Sequence, residues 1–278
     1  MKKIVITGMT SGIGKALFEY LVQHNYYVIG MSRSQEKLDH IHQILTEKGH
    51  SNFELHQADF LSFNDIDRII KTLKSSHQTG IDILINNAAM VPKKKVFTQD
   101  GFERQFQANH LAVFKISFGL LELLEKKQGQ IITTASNAHR LAKYKKANID
   151  GTKFYHSVKT YGKTKLYNIY FTSAFNEFIQ PKTNINAIAV HPGLVKTNIG
   201  TKDTSKLYAW FWEKFTKRGI TPEQAILTYI DLIEENIKEK DHFYFSKSQP
   251  ERLSKTALNK ANRNDLWLKT LKLLNITY

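Results

Sequence analysis

Apolar residues fall along the chain in short continuous runs separated by longer amphipathic stretches. Lys3 to Thr7 is a β-branched run, a glycine-rich turn follows, and KALFEYLVQHN then spaces its apolar residues as a helix with one buried face does. Tyr26 to Met31 reads as a second strand. The alternation continues with a helix from about Ser34, strand NFELHQA, a helix from Asn64 to Lys74 and strand IDILIN. A helix from about Asp100 to Glu125, strand QIITTA, a long helical segment and strand NINAIAV complete the series. Strands that are apolar throughout are covered on both faces, and strands separated by helical segments of this length are joined by crossovers and run parallel. The pattern predicts an α/β fold, a doubly wound parallel sheet in a single domain. Ligands of such sheets bind beyond the carboxyl ends of the strands, so the chemistry is sought there.

The first strand ends in Thr7-Gly8-Met9-Thr10-Ser11-Gly12-Ile13-Gly14 and runs into the first helix. Glycines in that place permit a tight turn and close approach of a pyrophosphate, which the N–H groups of the helix terminus then face. Gly8, Ser11, Gly12, Ile13 and Gly14 are therefore candidate nucleotide-binding residues of a Rossmann-type sheet. At the second strand end an acid would hold a ribose 2′-hydroxyl, but the chain has Arg33 and Ser34 there and no acid until Glu36. A guanidinium suits a 2′-phosphate, so NADP(H) is expected in preference to NAD(H).

Two overlapping Tyr-x-x-x-Lys pairs, Tyr155 with Lys159 and Tyr161 with Lys165, lie in KFYHSVKTYGKTKLYNIYF. Residues four apart share a helix face, so either pair could aim a phenol and an ammonium at one point. A tyrosine titrates near pH 10, and a neighbouring ammonium lowers that toward the range useful for acid–base catalysis. Helical spacing alone does not choose between the pairs.

The Gly-x-x-x-Gly-x-Gly spacing resembles the fingerprint of the classical short-chain dehydrogenase/reductase family, and the later strand ends extend the resemblance. Ala58-Asp59-Phe60 is similar to the family's Asp-hydrophobic pair, and Asn86-Asn87-Ala88-Ala89 to its Asn-Asn-Ala-Gly, with Ala89 departing from glycine. Asp100-Gly101-Phe102-Glu103, Asn109-His110-Leu111-Ala112 and Ser136-Asn137-Ala138-His139 resemble the retinol-dehydrogenase-like branch, as does Tyr161-Gly162-Lys163-Thr164-Lys165-Leu166. The resemblance implies Asp59 near the adenine, Asn87 at the cofactor, and Ser136 fixing the substrate oxygen. It also implies Tyr161 as general acid/base, Lys165 at the nicotinamide ribose and Asn109 holding a relay water. Ser136 could equally cap a turn, and a buried Asn109 could equally satisfy backbone groups at a helix kink. His191-Pro192-Gly193-Leu194-Val195-Lys196-Thr197 matches the family's Pro-Gly turn, implying that Val195 and Thr197 hold the nicotinamide carboxamide. Tyr161 follows Ser136 at a longer spacing than in many family members, and LAKYKKANIDGTKFYHSV is read as the branch's insertion, with Tyr155 and Lys159 at its end.

The nucleotide-binding core is expected over residues 1 to 195 and a substrate-covering segment over 197 to 220. That segment carries Leu207, Tyr208, Trp210, Phe211, Trp212 and Phe215, which suits a small hydrophobic alcohol or carbonyl substrate, a homodimer contact or a membrane surface. The expected function is NADP(H)-dependent interconversion of a hydrophobic alcohol and its aldehyde or ketone. The alternatives are a cofactor-binding regulatory protein without turnover and a basic nucleic-acid binder.

Composition changes this picture little. The chain has 278 residues and no cysteine, which excludes disulfides, thiolate metal sites and a cysteine nucleophile. Its formal charge of +15 arises from 40 basic and 25 acidic residues. The lysines are scattered, as on a solvated surface, so no nucleic-acid partner is expected. The N-terminal apolar run is too short for a signal peptide, and no window is long enough for a transmembrane helix. A cytoplasmic protein is the expectation.

Overall fold

The computed structural model describes residues 1–196, 219–235 and 242–278. Strands β1 (Lys3–Thr7), β2 (Tyr27–Ser32), β3 (Phe53–Gln57), β4 (Ile83–Asn86), β5 (Gln130–Thr134), β6 (Asn186–Val190), β7 (Tyr244–Ser246) and β8 (Gln249–Pro250) form one sheet. Its order is β3-β2-β1-β4-β5-β6-β7-β8, and every neighbouring pair is parallel except β7 with β8. The chain works outward from β1 to β3, then returns to the other side of β1 with β4. The order therefore reverses between β1 and β4, and the loops after these two strands flank the crevice that the reversal opens.

Side chains alternate across the strands and feed two apolar layers. Val5, Leu84, Ile131 and Ala187 pack with Phe114, Phe171, Phe175 and Trp267 on one face. Ile4, Ile6, Ile85, Ile132 and Ile188 pack with Leu17, Phe18, Leu38 and Tyr229 on the other. The first face is covered by α3 (Phe63–Ser76), by α6 (Ser157–Phe178) and by α4, in which Arg104–Phe106, a π turn Gln107–Leu111 and Ala112–Gly119 run on as one rod. The second is covered by α1 (Gly12–Gln23), α2 (Gln35–Glu47) and α9 (Leu227–Ile233). Short helices α5 (Leu121–Glu125), α7 (Gln180–Thr183) and α8 (Pro222–Ala225), and the C-terminal α10 (Lys260–Leu274), complete the described elements.

The helix expected from Asp100 to Glu125 differs from this in two ways. It starts only after Glu103, whose carboxylate accepts the Phe106 N–H at 2.9 Å, and it breaks at Leu120, with φ −98° and ψ 5°. Gly119 lies so close to α3 that an added Cβ would sit 2.3 Å from Ile70 Cδ1. Strands β7 and β8 were not expected. Tyr244–Ser246 is three residues long and docks on β6 through Ala189↔Tyr244 and Val190↔Phe245.

Inside the π turn, His110 is fully buried among the rings of Phe106, Phe114 and Tyr167, with Nε2 3.0 Å from Thr270 Oγ1. Burial pushes its pKa down to about 3. The folded protein thus keeps His110 neutral where an unfolded histidine, titrating near pH 6.5, is charged. Its stabilisation is complete above that pH and is lost as the pH falls below it. On going from pH 7 to pH 5.5, His110 should cost about 1 kcal/mol of stability. Urea unfolding at the two pH values checks this. A His110→Phe variant should lose correspondingly less on the same descent, and an identical loss would contradict the assignment.

Candidate active site

The two loops at the sheet reversal are tied by one hydroxyl and one amide. Thr7 Oγ1, at the end of β1, accepts the backbone N–H groups of Asn87 and Ala88, both at 3.0 Å. Asn87 Nδ2 in turn donates to the carbonyls of Thr7 at 3.0 Å and Gly8 at 3.3 Å. Gly8 takes φ +73°, and a Cβ on it would lie 2.8 Å from Ala88 Cα. A Cβ on Gly14 would meet Gly8 O and Asn87 Nδ2, each at 2.4 Å. The start of α1 therefore abuts the turn more closely than any side chain permits. Ser11, the residue before α1, makes no side-chain cap, and the first turn of Gly12, Ile13 and Gly14 carries no acid. Its N–H groups and the positive helix end have no side-chain anion to neutralise them, which fits a pyrophosphate.

Asn87 braces this cradle, since both its amide protons are spent on loop carbonyls. Arg33 is exposed just beyond β2, and its guanidinium has no side-chain partner among the described residues. Asp59 uses Oδ1 to accept the Leu61 N–H at 3.0 Å, while its own N–H donates to Asp65 at 3.0 Å. The cradle, Arg33 and Asp59 lie at the carboxyl ends of β1, β2 and β3 and together fit a dinucleotide.

The two Tyr-x-x-x-Lys pairs separate in space. Helix α6 begins at Ser157, and Tyr155 lies outside it. The Tyr155 phenol donates to Pro92 O at 2.9 Å and accepts from Gln105 Nε2 at 2.8 Å, while Lys159 is exposed. Tyr161 and Lys165 both lie within α6, one turn apart, with Lys165 Nζ 5.5 Å from the Tyr161 ring centroid. Gly162 explains why α6 can approach the loop after β5, because a Cβ there would sit 2.7 Å from Ala138 O. That approach sets the Tyr161 phenol near the Ser136 side chain, which acts to lower its pKa. Ser136 Oγ also caps the 3-10 turn Asn137–Leu141, accepting the Ala138 N–H at 3.2 Å. Ser136 thus fills the capping role while standing near the phenol.

Lys165 is buried and donates to the Thr134 carbonyl at 2.8 Å. Asn168 Nδ2 donates to the same oxygen at 3.2 Å, and Thr134 Oγ1 lies 2.8 Å from the Tyr229 hydroxyl of α9. Burial pushes Tyr161 up to about 12, opposed by the nearby Ser136 side chain, and brings Lys165 down to about 7. An ammonium that lowers the phenol was expected from the sequence. With Lys165 turned to Thr134, desolvation governs both shifts and the ammonium does not lower the phenol.

Asn109 sits in the π turn with its amide on loop backbone. Oδ1 accepts the Met90 N–H at 2.8 Å, and Nδ2 donates to Met90 O at 2.9 Å and to Thr164 Oγ1 at 3.2 Å. This is the backbone-satisfying role that a buried asparagine at a helix irregularity can fill, and it leaves no amide proton for a water. Val195 is buried and pairs with Ile220 in an isolated parallel bridge, which pins the loop after β6. Thr197 and the apolar and aromatic residues from Leu207 to Phe215 lie outside the described residues.

Thr134, Asn168 and Tyr229 were not anticipated. Asn168 stands three residues after Lys165 on α6, a spacing that could have flagged it. The partnership of Thr134 with Tyr229 spans 95 positions and leaves no local signal.

A glycine-lined cradle at the sheet reversal and a Tyr-Lys pair near a strand-end serine thus lie at the carboxyl end of one doubly wound sheet. Residues 2–207 match the model of the short chain dehydrogenase family, and the chain belongs to that family. Mouse retinol dehydrogenase 12 is 30% identical over 280 residues, covering 100% of this chain and 87% of the relative. A crystal structure of a protein from Mycobacterium paratuberculosis superposes with a TM-score of 0.76 at 22% identity, covering 100% of this chain and 95% of that one. A short-chain dehydrogenase from Sphingobium yanoikuyae in complex with NADPH gives a TM-score of 0.69 at 19% identity, covering 100% and 97%. The protein is thus an enzyme of the short-chain alcohol dehydrogenase/reductase type, a family that uses NAD(P)(H) and small substrates. Among the described residues no helix is long and apolar enough to cross a membrane.

The contact at Gly162 is testable. Gly162→Ala should destabilise the protein by about 1–3 kcal/mol, because the obstructing atom is a backbone carbonyl. Urea unfolding measures it, and a change below about 0.5 kcal/mol would show that α6 does not approach the loop so closely.

Proposed function

We propose that the protein interconverts a hydrophobic alcohol and its aldehyde or ketone with NADP(H), using Tyr161 as general acid/base. The observation that carries this reading is Lys165 one helical turn from Tyr161 on α6, with Nζ 5.5 Å from its ring, and Ser136 near the phenol, at the carboxyl end of the sheet that also holds the glycine cradle. When bound, the nicotinamide supplies a hydride to the carbonyl carbon or removes one from the alcohol carbon.

The chain's own residues handle the proton and the oxygen. In the reductive direction Tyr161 gives its phenolic proton to the substrate oxygen, which the Ser136 hydroxyl holds by hydrogen bonding. Lys165, once turned from Thr134, stabilises the phenolate left behind and binds the nicotinamide ribose. Gly8, Gly12, Ile13 and Gly14 present backbone to the pyrophosphate, Ser11 and Asn87 shape that surface, and Asp59 borders the adenine. Val195 and Thr197 hold the carboxamide. Arg33, exposed and without a side-chain partner, suits a 2′-phosphate. The hydrophobic substrate class is supported by the relative whose name specifies retinol and by the aromatic residues between Thr197 and Thr221.

Tyr161→Phe should lower kcat about 10²–10⁴-fold on any aldehyde or ketone that the wild type reduces, since it removes the proton donor. Tyr155→Phe should leave kcat within about a factor of three, a change of less than 1 kcal/mol in the barrier. The reverse ranking would move the chemistry to the other pair. For the cofactor, Arg33→Ala should weaken NADPH about tenfold or more, as loss of a charge-assisted hydrogen bond does, and leave NADH unchanged. Equal weakening of both in a fluorescence titration would remove Arg33 from the 2′-phosphate site.

A further inference from the structure

The Thr134 carbonyl takes two donors, Lys165 Nζ at 2.8 Å and Asn168 Nδ2 at 3.2 Å, and all three residues are buried. A carbonyl oxygen has two lone pairs and satisfies both. Asn168 Oδ1, also buried, has no hydrogen-bond partner among the described residues. An amide that makes one long bond and leaves its acceptor unpaired is a poor choice for stability, and a leucine of similar shape would avoid the cost. The side chain therefore calls for another reason.

We propose that Asn168 is a positioning residue for Lys165: it keeps the Thr134 carbonyl satisfied so that the ammonium can leave that oxygen and serve the cofactor ribose and the Tyr161 phenol. Without it, turning Lys165 away would strand a buried acceptor, and the ammonium would be held on the strand end. With it, the carbonyl retains a donor in either position of the lysine. The inference rests on the functional reading above, in which Lys165 meets the cofactor.

The test is a double-mutant cycle with Asn168→Leu, Lys165→Met and the pair, read as the NADPH dissociation constant by fluorescence titration alongside melting temperature. Asn168→Leu should weaken NADPH roughly tenfold when Lys165 is present and not at all in the Lys165→Met background. Its melting temperature should be no lower than that of the wild type. Asn168→Met, of similar length and unable to donate to Thr134, should show the same dependence on Lys165 and serves if the leucine variant does not fold. An equal weakening in both backgrounds, or unchanged affinity with Lys165 present, would overturn the inference while leaving the functional reading intact. Wild-type protein that binds neither NADPH nor NADH would overturn that reading and this inference with it.

Discussion

A lysine can be kept inside a protein only where hydrogen-bond acceptors replace its water, and here the backbone oxygen of Thr134 does so for Lys165. That oxygen is placed by the sheet. Thr134 ends β5 in register with Val190 of β6, and the next N–H, of Ala135, donates to Val190 O at 2.7 Å. The lysine bond then draws α6 onto the strand end. One turn earlier on the same helix, Tyr161 arrives beside Ser136, and Gly162 provides the clearance. The position of the phenol thus follows from the pairing of two strands.

The nucleotide cradle is fixed separately, by Thr7 and Asn87 across the ends of β1 and β4. Asn109 joins the two halves. Its amide clamps both backbone groups of Met90, in the loop after β4, and reaches Thr164 on α6. Thr164 donates to the Tyr161 carbonyl at 2.8 Å, so a chain of hydrogen bonds runs from the cradle side of the crevice to the tyrosine. The π turn that carries Asn109 is the local irregularity that accompanies this connection.

Much of this was legible in the sequence, and the rest was not for identifiable reasons. The apolar runs from Lys3 to Thr7 and from Ile81 to Asn86 declare buried parallel strands, and the glycine spacing after Thr7 declares a turn that side chains cannot enter. Strand β7 escaped because three residues carry no periodicity and depend on β6 for pairing. The π turn and the break at Leu120 escaped because both preserve a helical apolar pattern. Helix spacing placed both Tyr-x-x-x-Lys pairs on equal terms, whereas the start of α6 at Ser157 leaves Tyr155 outside the helix. The Tyr161 and Lys165 ionisations were legible only in part, because a sequence shows which charges are near in the chain and not how thoroughly they are dehydrated.

The central claim is that Lys165 and Tyr161, and not Lys159 and Tyr155, border the nicotinamide end of a dinucleotide laid across the cradle. A crystal structure with NADP⁺ bound tests it most directly. The pyrophosphate should lie at the N-terminus of α1, Lys165 Nζ within hydrogen-bond distance of the nicotinamide ribose, and Tyr155 still on Pro92 and Gln105. A dinucleotide flanked by Tyr155 and Lys159, or lying away from α6 with Lys165 still on Thr134, would contradict it.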